Sequence, residues 1–313
     1  MGMSPVMVKT EVLDATMLLN SNVEEVRAFL WVSWRVQLLT VNSFSWPAGK
    51  PPPALVMAGI VVVFDFDRTL IDGDSDSWVV AEMGLTQLFN ELRSTLPWNK
   101  LMDRMMKELH LQGKSSVDIK ECLKRIPMHP GVIAAIKSAH ASGCDLRIIS
   151  DANQFFIETI LECHGLLGCF SQIVTNPSFV DGDGRLRIFP YRDVGSPSHG
   201  CNLCPPNLCK GVVIDQIQAS VSANGRKRYI YLGDGRNDFC PTLRLVEGDH
   251  VMPRKDYALS KRIYSNRMLI KADIHEWSDG EELGKILLHL IHRISTEEIN
   301  CSDLSQLNSS DHI

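Results

Sequence analysis

The chain has 313 residues, of which 44% are apolar, 22% charged and 7% aromatic. That composition supports a sizeable folded core and excludes the disordered, collagenous and low-complexity classes. A net charge of −5 argues against a nucleic-acid partner, because such binders carry surplus Lys and Arg.

The apolar stretch from Ala28 to Trp46 is broken by Arg35 and several polar residues, short of the ~18 uncharged residues a membrane span needs. The first residues lack the charged-then-apolar order of a secretory signal. Nine cysteines are an odd count in a chain long enough to fold without disulfides, so reduced thiols and a cytoplasmic setting are expected.

Residues 1–56 close on Pro47, Pro51, Pro52 and Pro53, a linker that continues neither helix nor central strand. They are expected to form a poorly ordered N-terminal extension, with the fold beginning near Met57. Ile60 to Asp65 is a run of β-branched and aromatic residues, as in a strand buried on both faces of a parallel sheet. Residues 78–127 then carry only helical spacing, through Leu85, Phe89 and Leu92 and on to Leu101, Met105 and Leu109, which predicts a small helical cap inserted after the first strand. Cys144–Ser150, Gln172–Asn176, Tyr229–Asp234 and His250–Pro253 read as further strands. A helix after the second of them carries Phe156 and Ile160 and is capped by Asn153 or Asp151. Asp181, Gly182, Asp183 and Gly184 lie between apolar positions and predict a β-hairpin. Ser278 and Glu281 suggest a capping box for a helix through Ile294, ahead of a polar tail over 297–313. Alternating strands and helices indicate an α/β fold with a doubly wound parallel sheet, its Rossmann-like core formed by 57–77 and 128–296.

Asp65 and Asp67 stand where the first strand ends, the edge at which open α/β sheets bind ligands. One carboxylate can attack while the other carries a proton. Asp234 and Asp238 follow another strand in a glycine-rich turn. Four carboxylates at adjacent strand ends repel one another, and an oxygen-only set with room for water and phosphate suits Mg²⁺. Ser150 ends a strand ahead of a helix, where a hydroxyl and free N–H groups can hold phosphate or simply cap the helix. Lys210 can neutralise a transferring phosphoryl group or serve as a surface charge.

In this order Asp65-x-Asp67-x-Thr69, Ser150, Lys210 and Gly233-Asp234-Gly235-x-x-Asp238 resemble the haloacid dehalogenase superfamily of aspartate-dependent phosphohydrolases. Residues 64–69, 74–78, 149–153, 199–210 and 231–235 narrow this to a resemblance to the phosphoethanolamine/phosphocholine phosphatase family. That family includes plant members described as inorganic pyrophosphatases or thiamine phosphate phosphatase-like proteins. The resemblance implies Asp65 as the nucleophile that becomes an aspartyl phosphate and Asp67 as the acid and base. It implies Ser150 and Lys210 as phosphate-holding residues. Mg²⁺ would be bound by Asp65, Asp67 through its carbonyl, and Asp234, with Asp238 completing or orienting the shell. Asp76 and Asp151 match positions associated with a cationic headgroup, the alternative being helix capping.

His199, Cys201, Cys204 and Cys209 could supply four tetrahedral ligands to a structural Zn²⁺. Reduced loop thiols and a redox-sensitive disulfide are the other readings. The expected function is a Mg²⁺-dependent phosphatase acting on a small phosphorylated metabolite, foremost phosphocholine or phosphoethanolamine. Inorganic pyrophosphate and thiamine monophosphate are alternatives on the same centre, and a zinc-stabilised interaction protein is the non-enzymatic one.

Overall fold

The computed structural model describes residues 59–192, 195, 199–221 and 227–310, so the expected N-terminal extension over 1–56 lies outside the described residues. Strand β1 (Ile60–Phe64) is buried along its whole length. After it come helices α1 (Ser75–Glu82), α2 (Thr86–Leu92), α3 (Trp98–Leu111) and α4 (Ser116–Leu123), then α5 (Pro130–Ala141). Strand β2 (Asp145–Asn153), helix α6 (Gln154–Cys163) and strand β3 (Gln172–Asn176) form the next unit, and β4 (Ser178–Val180) and β5 (Leu186–Ile188) are the arms of a hairpin. Helix α7 (Lys210–Val221), strand β6 (Arg228–Gly233), helix α8 (Phe239–Thr242), strand β7 (His250–Pro253), helix α9 (Ala258–Ser265), strand β8 (Asp273–Ile274) and helix α10 (Gly280–Ser310) complete the order.

Six strands form one sheet in the order β3-β2-β1-β6-β7-β8, with every pairing parallel. The doubly wound expectation holds, and a sixth strand, β8, joins the five read from the sequence. Two residues, Asp273 and Ile274, give too short an apolar run to stand out. Side chains alternate across β1, so Ile60, Val62 and Phe64 enter a core with Ala135, Ile157 and Leu287, while Val61 and Val63 enter a second with Ile214, Leu259 and Ile263. Burying each such side chain contributes about 1.5–3 kcal/mol, which anchors β1 from both faces and fixes the position of whatever follows it.

The Met-rich stripe of α3 is packing: Leu101, Met102, Met105, Met106 and Leu109 are all buried. The hairpin docks on the same helix, because Asp103 accepts hydrogen bonds from the Arg185 and Arg187 guanidinium groups and from the Ile188 N–H. Asn153 caps α6 by accepting from the Phe156 N–H at 3.1 Å. The cap of α10 is Asp279, whose Oδ1 accepts from the N–H groups of Glu281 and Glu282. Ser278 instead donates its own N–H to Glu282, so the expected capping box is displaced by one residue. Helix α10 runs to Ser310, across most of the segment expected as a polar tail. Among the described residues no helix is long and apolar enough to cross a membrane.

Candidate active site

The chain leaves β1 through Asp65, and its next turn is tightly pinned. The N–H groups of Thr69, Leu70 and Ile71 all point to the Phe66 carbonyl. Arg68 takes a left-handed conformation at φ 57°, a strained choice for a residue with a Cβ. Arg254 Nη1 holds the Arg68 carbonyl at 2.7 Å. This turn brings Asp65 and Asp67 to one cavity of about 830 Å³, which Ser150, Asp151, Asp234 and Asn237 also line.

Lys210, the first residue of α7, is fully buried, and its Nζ lies 2.7 Å from both Asp65 Oδ1 and Asp238 Oδ1. Burial works against its charge, but the carboxylates of Asp238 and Asp65 outweigh it and push its pKa above the ordinary lysine range. The surface-charge reading of Lys210 is thereby excluded. Asp238 is saturated: the Tyr231 hydroxyl shares its Oδ1 at 2.6 Å, and the N–H groups of Asp234 and Gly235 donate to its Oδ2. A Cβ on Gly233 would stand 2.5 Å from the Asp238 Cγ, so only glycine lets β6 approach this carboxylate.

Oxygens of Asp65, Asp234 and Asp238 lie within 4.8 Å of one another, and all three residues are buried. Three carboxylates against one lysine leave two negative charges over. The electrostatics record the strain: burial, followed by the charges of Asp238 and Asp234, raises Asp65 well above the usual carboxylate range. Burial and then Asp238 push Asp234 up to about 6. A protonated Asp65 cannot attack phosphorus, and a hard divalent cation on these oxygens restores the carboxylate. The donor set therefore fits Mg²⁺. With Asp238 already accepting four hydrogen bonds, its place is to orient Lys210 and the turn.

Asp67 is half-buried and its Oδ1 accepts from the Ser75 N–H at 2.8 Å. Burial and then the charge of Asp74 push its carboxyl up to about 7, where a group both gives and takes protons near neutrality. Ser150 is not the helix cap; its Oγ accepts from the Ala152 N–H at 3.2 Å at the cavity wall.

Neither Asp76 nor Asp151 is a helix cap. Asp74 caps α1 through the Ser77 N–H, and Asp76 is buried inside the helix. Trp98 Nε1 donates to Asp76 Oδ2 at 2.6 Å, and Asp76 Oδ1 has no partner. Burial, then Asp67 and Asp74, raises the Asp76 carboxyl well above its ordinary range. Asp151 receives a hydrogen bond from Asn237 Nδ2 at 2.6 Å, and burial raises its pKa too.

The candidate zinc set is only partly brought together. Cys201, Cys204 and Cys209 converge, but the fourth sulfur belongs to Cys240. His199 instead fastens the loop, accepting from the Cys201 N–H at 3.1 Å and placing Nε2 2.8 Å from the Pro205 carbonyl oxygen. Cys240 is 31 residues from Cys209 in a different motif, so no local spacing could reveal it. Trp98, Asn237 and Tyr231 were also missed. Tyr231 lies in a strand and reads as core, and Trp98 opens α3 with the pattern of an ordinary amphipathic helix.

Residues 60–291 match the model of a family described as "Putative Phosphatase". The chain is 62% identical over 244 residues to a thiamine phosphate phosphatase-like protein of Arabidopsis thaliana, covering 77% of this chain and 99% of that one. It is 56% identical over 240 residues to inorganic pyrophosphatase 2 of the same plant, with 76% and 86% covered. It is 34% identical over 245 residues to a bovine pyridoxal phosphate phosphatase, with 74% and 98% covered. Among solved structures, a haloacid dehalogenase family hydrolase of Salmonella enterica serovar Typhi shares the fold at a TM-score of 0.51 and 16% identity, over 87% of this chain and 81% of that one. The non-enzymatic reading is set aside by these matches together with the intact carboxylate and lysine constellation. The chain belongs to this phosphatase family and shares the fold of a haloacid dehalogenase family hydrolase.

Proposed function

We propose that the protein is a Mg²⁺-dependent phosphatase whose substrates are small phosphate monoesters with a cationic nitrogen on the alcohol side. Phosphocholine, phosphoethanolamine and thiamine monophosphate belong to this class. The observation that carries the substrate class is Asp76: a buried carboxyl with one oxygen on Trp98 and the other on nothing. An unpartnered buried carboxylate oxygen costs about 1–3 kcal/mol, and a cationic group is the ligand that relieves it. Trp98, which donates to Asp76, lines the same cavity, and an indole there can add a cation–π contact.

The chemistry is assigned to the strand ends. Lys210 holds the Asp65 carboxylate in one orientation, so that Asp65 attacks phosphorus in line with the departing oxygen. Asp67 protonates that oxygen as the bond to phosphorus breaks, and the phosphoryl group is left on Asp65. Asp67, now a carboxylate, takes a proton from water as the water attacks the aspartyl phosphate, releasing inorganic phosphate and restoring Asp65. Ser150 and Lys210 bind the phosphoryl oxygens through both steps. Bound by Asp65, Asp234 and the Asp67 carbonyl, Mg²⁺ would supply neutralisation of charge on the phosphoryl group.

A second reading rests on Arg68, Lys100 and Arg192, which line the same cavity. Three cations suit a phosphate leaving group, and relatives at 56% identity are named inorganic pyrophosphatases. Phosphate release from phosphocholine, phosphoethanolamine, thiamine monophosphate and pyrophosphate separates the two. The proposal expects at least one cationic ester to exceed pyrophosphate by roughly 10-fold in kcat/KM, with activity lost in EDTA and restored by Mg²⁺. Preference for pyrophosphate over all three esters would overturn the substrate class.

A further inference from the structure

The loop before α7 brings Cys201, Cys204 and Cys209 against Cys240, the second residue of α8, and the four sulfurs lie within 4.8 Å of one another. Cys240 Sγ is 3.5 Å from that of Cys201 and 3.8 Å from that of Cys209. A tetrahedron of thiolates around Zn²⁺ at ~2.3 Å has sulfur–sulfur edges of about 3.8 Å. A disulfide needs about 2.05 Å, so pairing would collapse an arrangement that already has the dimensions of a metal cage. The surroundings match thiolate ligands as well. The Leu203 N–H donates to Cys201 Sγ at 3.4 Å, and the Val212 N–H donates to Cys209; such bonds orient sulfur ligands and stabilise their charge. A Cβ on Gly211 would stand 2.5 Å from Cys240 Sγ, so glycine at this position lets α7 close over the cluster.

We propose that Cys201, Cys204, Cys209 and Cys240 form a closed tetrahedral Zn²⁺ site that clamps the substrate-cavity wall and Lys210 to the turn carrying Asp238. Cys209 directly precedes Lys210, and Cys240 follows Asp238 by two residues. The metal joins the two backbone segments whose side chains meet in the Lys210–Asp238 ion pair. Pro205, Pro206 and Asn207, between the second and third ligands, line the substrate cavity. Soft thiolates select Zn²⁺ over Mg²⁺, and the carboxylate site does the reverse, so the two metals occupy separate sites. Four protein ligands close the coordination sphere and assign the zinc a structural rather than a catalytic place.

The test is the metal content of the full chain, purified under reducing conditions in excess Mg²⁺. Elemental analysis should find one Zn²⁺ per chain, and the Co²⁺-substituted protein should show the intense visible absorption of a tetrahedral thiolate site. Cys240→Ser should lose the metal and His199→Ala should keep it, which separates the four-sulfur set from one containing the histidine. If Cys240→Ser does not fold, Cys201→Ser at its half-buried position gives the same reading. Less than about 0.2 equivalents of Zn²⁺ with all four thiols free to alkylation, a disulfide detected by mass among the four, or zinc retained in the folded cysteine variant would each overturn the proposal. None of these readouts depends on which ester the enzyme hydrolyses.

Discussion

At the strand ends both oxygens of Asp238 are taken by four donors and Lys210 is wedged between two carboxylates. At the cap end, Asp76 has one oxygen on Trp98 and the other on nothing. The first region is complete within the protein apart from a cation. The second keeps one buried acceptor unused. The difference teaches where reaction and selection reside. In the proposed reading, groups held by several bonds perform a chemistry common to every phosphoryl substrate, while a group missing a bond discriminates between leaving groups.

The largest expected break is Asp65→Asn, which removes the attacking oxygen. Turnover should fall by at least about 10⁴-fold on every phosphoryl substrate, with the fold retained because crowded negative charge is relieved. Activity within tenfold of wild type on purified, folded protein would remove Asp65 as nucleophile. Lys210→Met comes next: it leaves Asp65 and Asp238 buried without their cation, and urea unfolding should show a loss of about 3–5 kcal/mol. A loss below about 1 kcal/mol would mean that the strand ends are less tightly interlocked than the geometry implies.

Most of the carboxylate cluster was legible in the sequence, since Asp65, Asp67, Asp234 and Asp238 each follow a buried run that can only be a strand, and a strand end fixes where a side chain begins. The five long strands were legible for the same reason. What periodicity cannot give is the partner across space. Ser150, Asp151 and Asn153 each read as a possible helix cap because a strand-to-helix junction usually needs one, and the continuation of β2 three residues past Ser150 leaves that role to Asn153. Tyr231 was hidden because a buried strand tyrosine has the same local pattern whether or not its hydroxyl meets Asp238. The fourth cysteine was hidden by distance along the chain.

Two smaller effects sharpen the contrast. Tyr231→Phe removes one of the four donors on Asp238 and should cost about 2 kcal/mol in unfolding free energy, the scale of a hydrogen bond to a buried charge, while leaving substrate preference unchanged. A change of preference would place selection at the wrong end of the cavity. Asp103→Ala should loosen the hairpin from α3. Its partners Arg185 and Arg187 are partly solvated, so the loss should be only about 1 kcal/mol, and kcat on the best substrate should stay within a factor of about two. A large fall in kcat would show that the cap participates in the chemistry.

The division between a chemical end and a selecting end is tested most directly by kcat/KM for phosphocholine and pyrophosphate in wild type and in Asp76→Asn. Asparagine keeps the shape and removes the charge. The account predicts a loss of about 10-fold on phosphocholine, the equivalent of ~1.4 kcal/mol, with pyrophosphate hydrolysis unchanged or improved. Equal losses on both would contradict it, and would make Asp76 a support for the site as a whole.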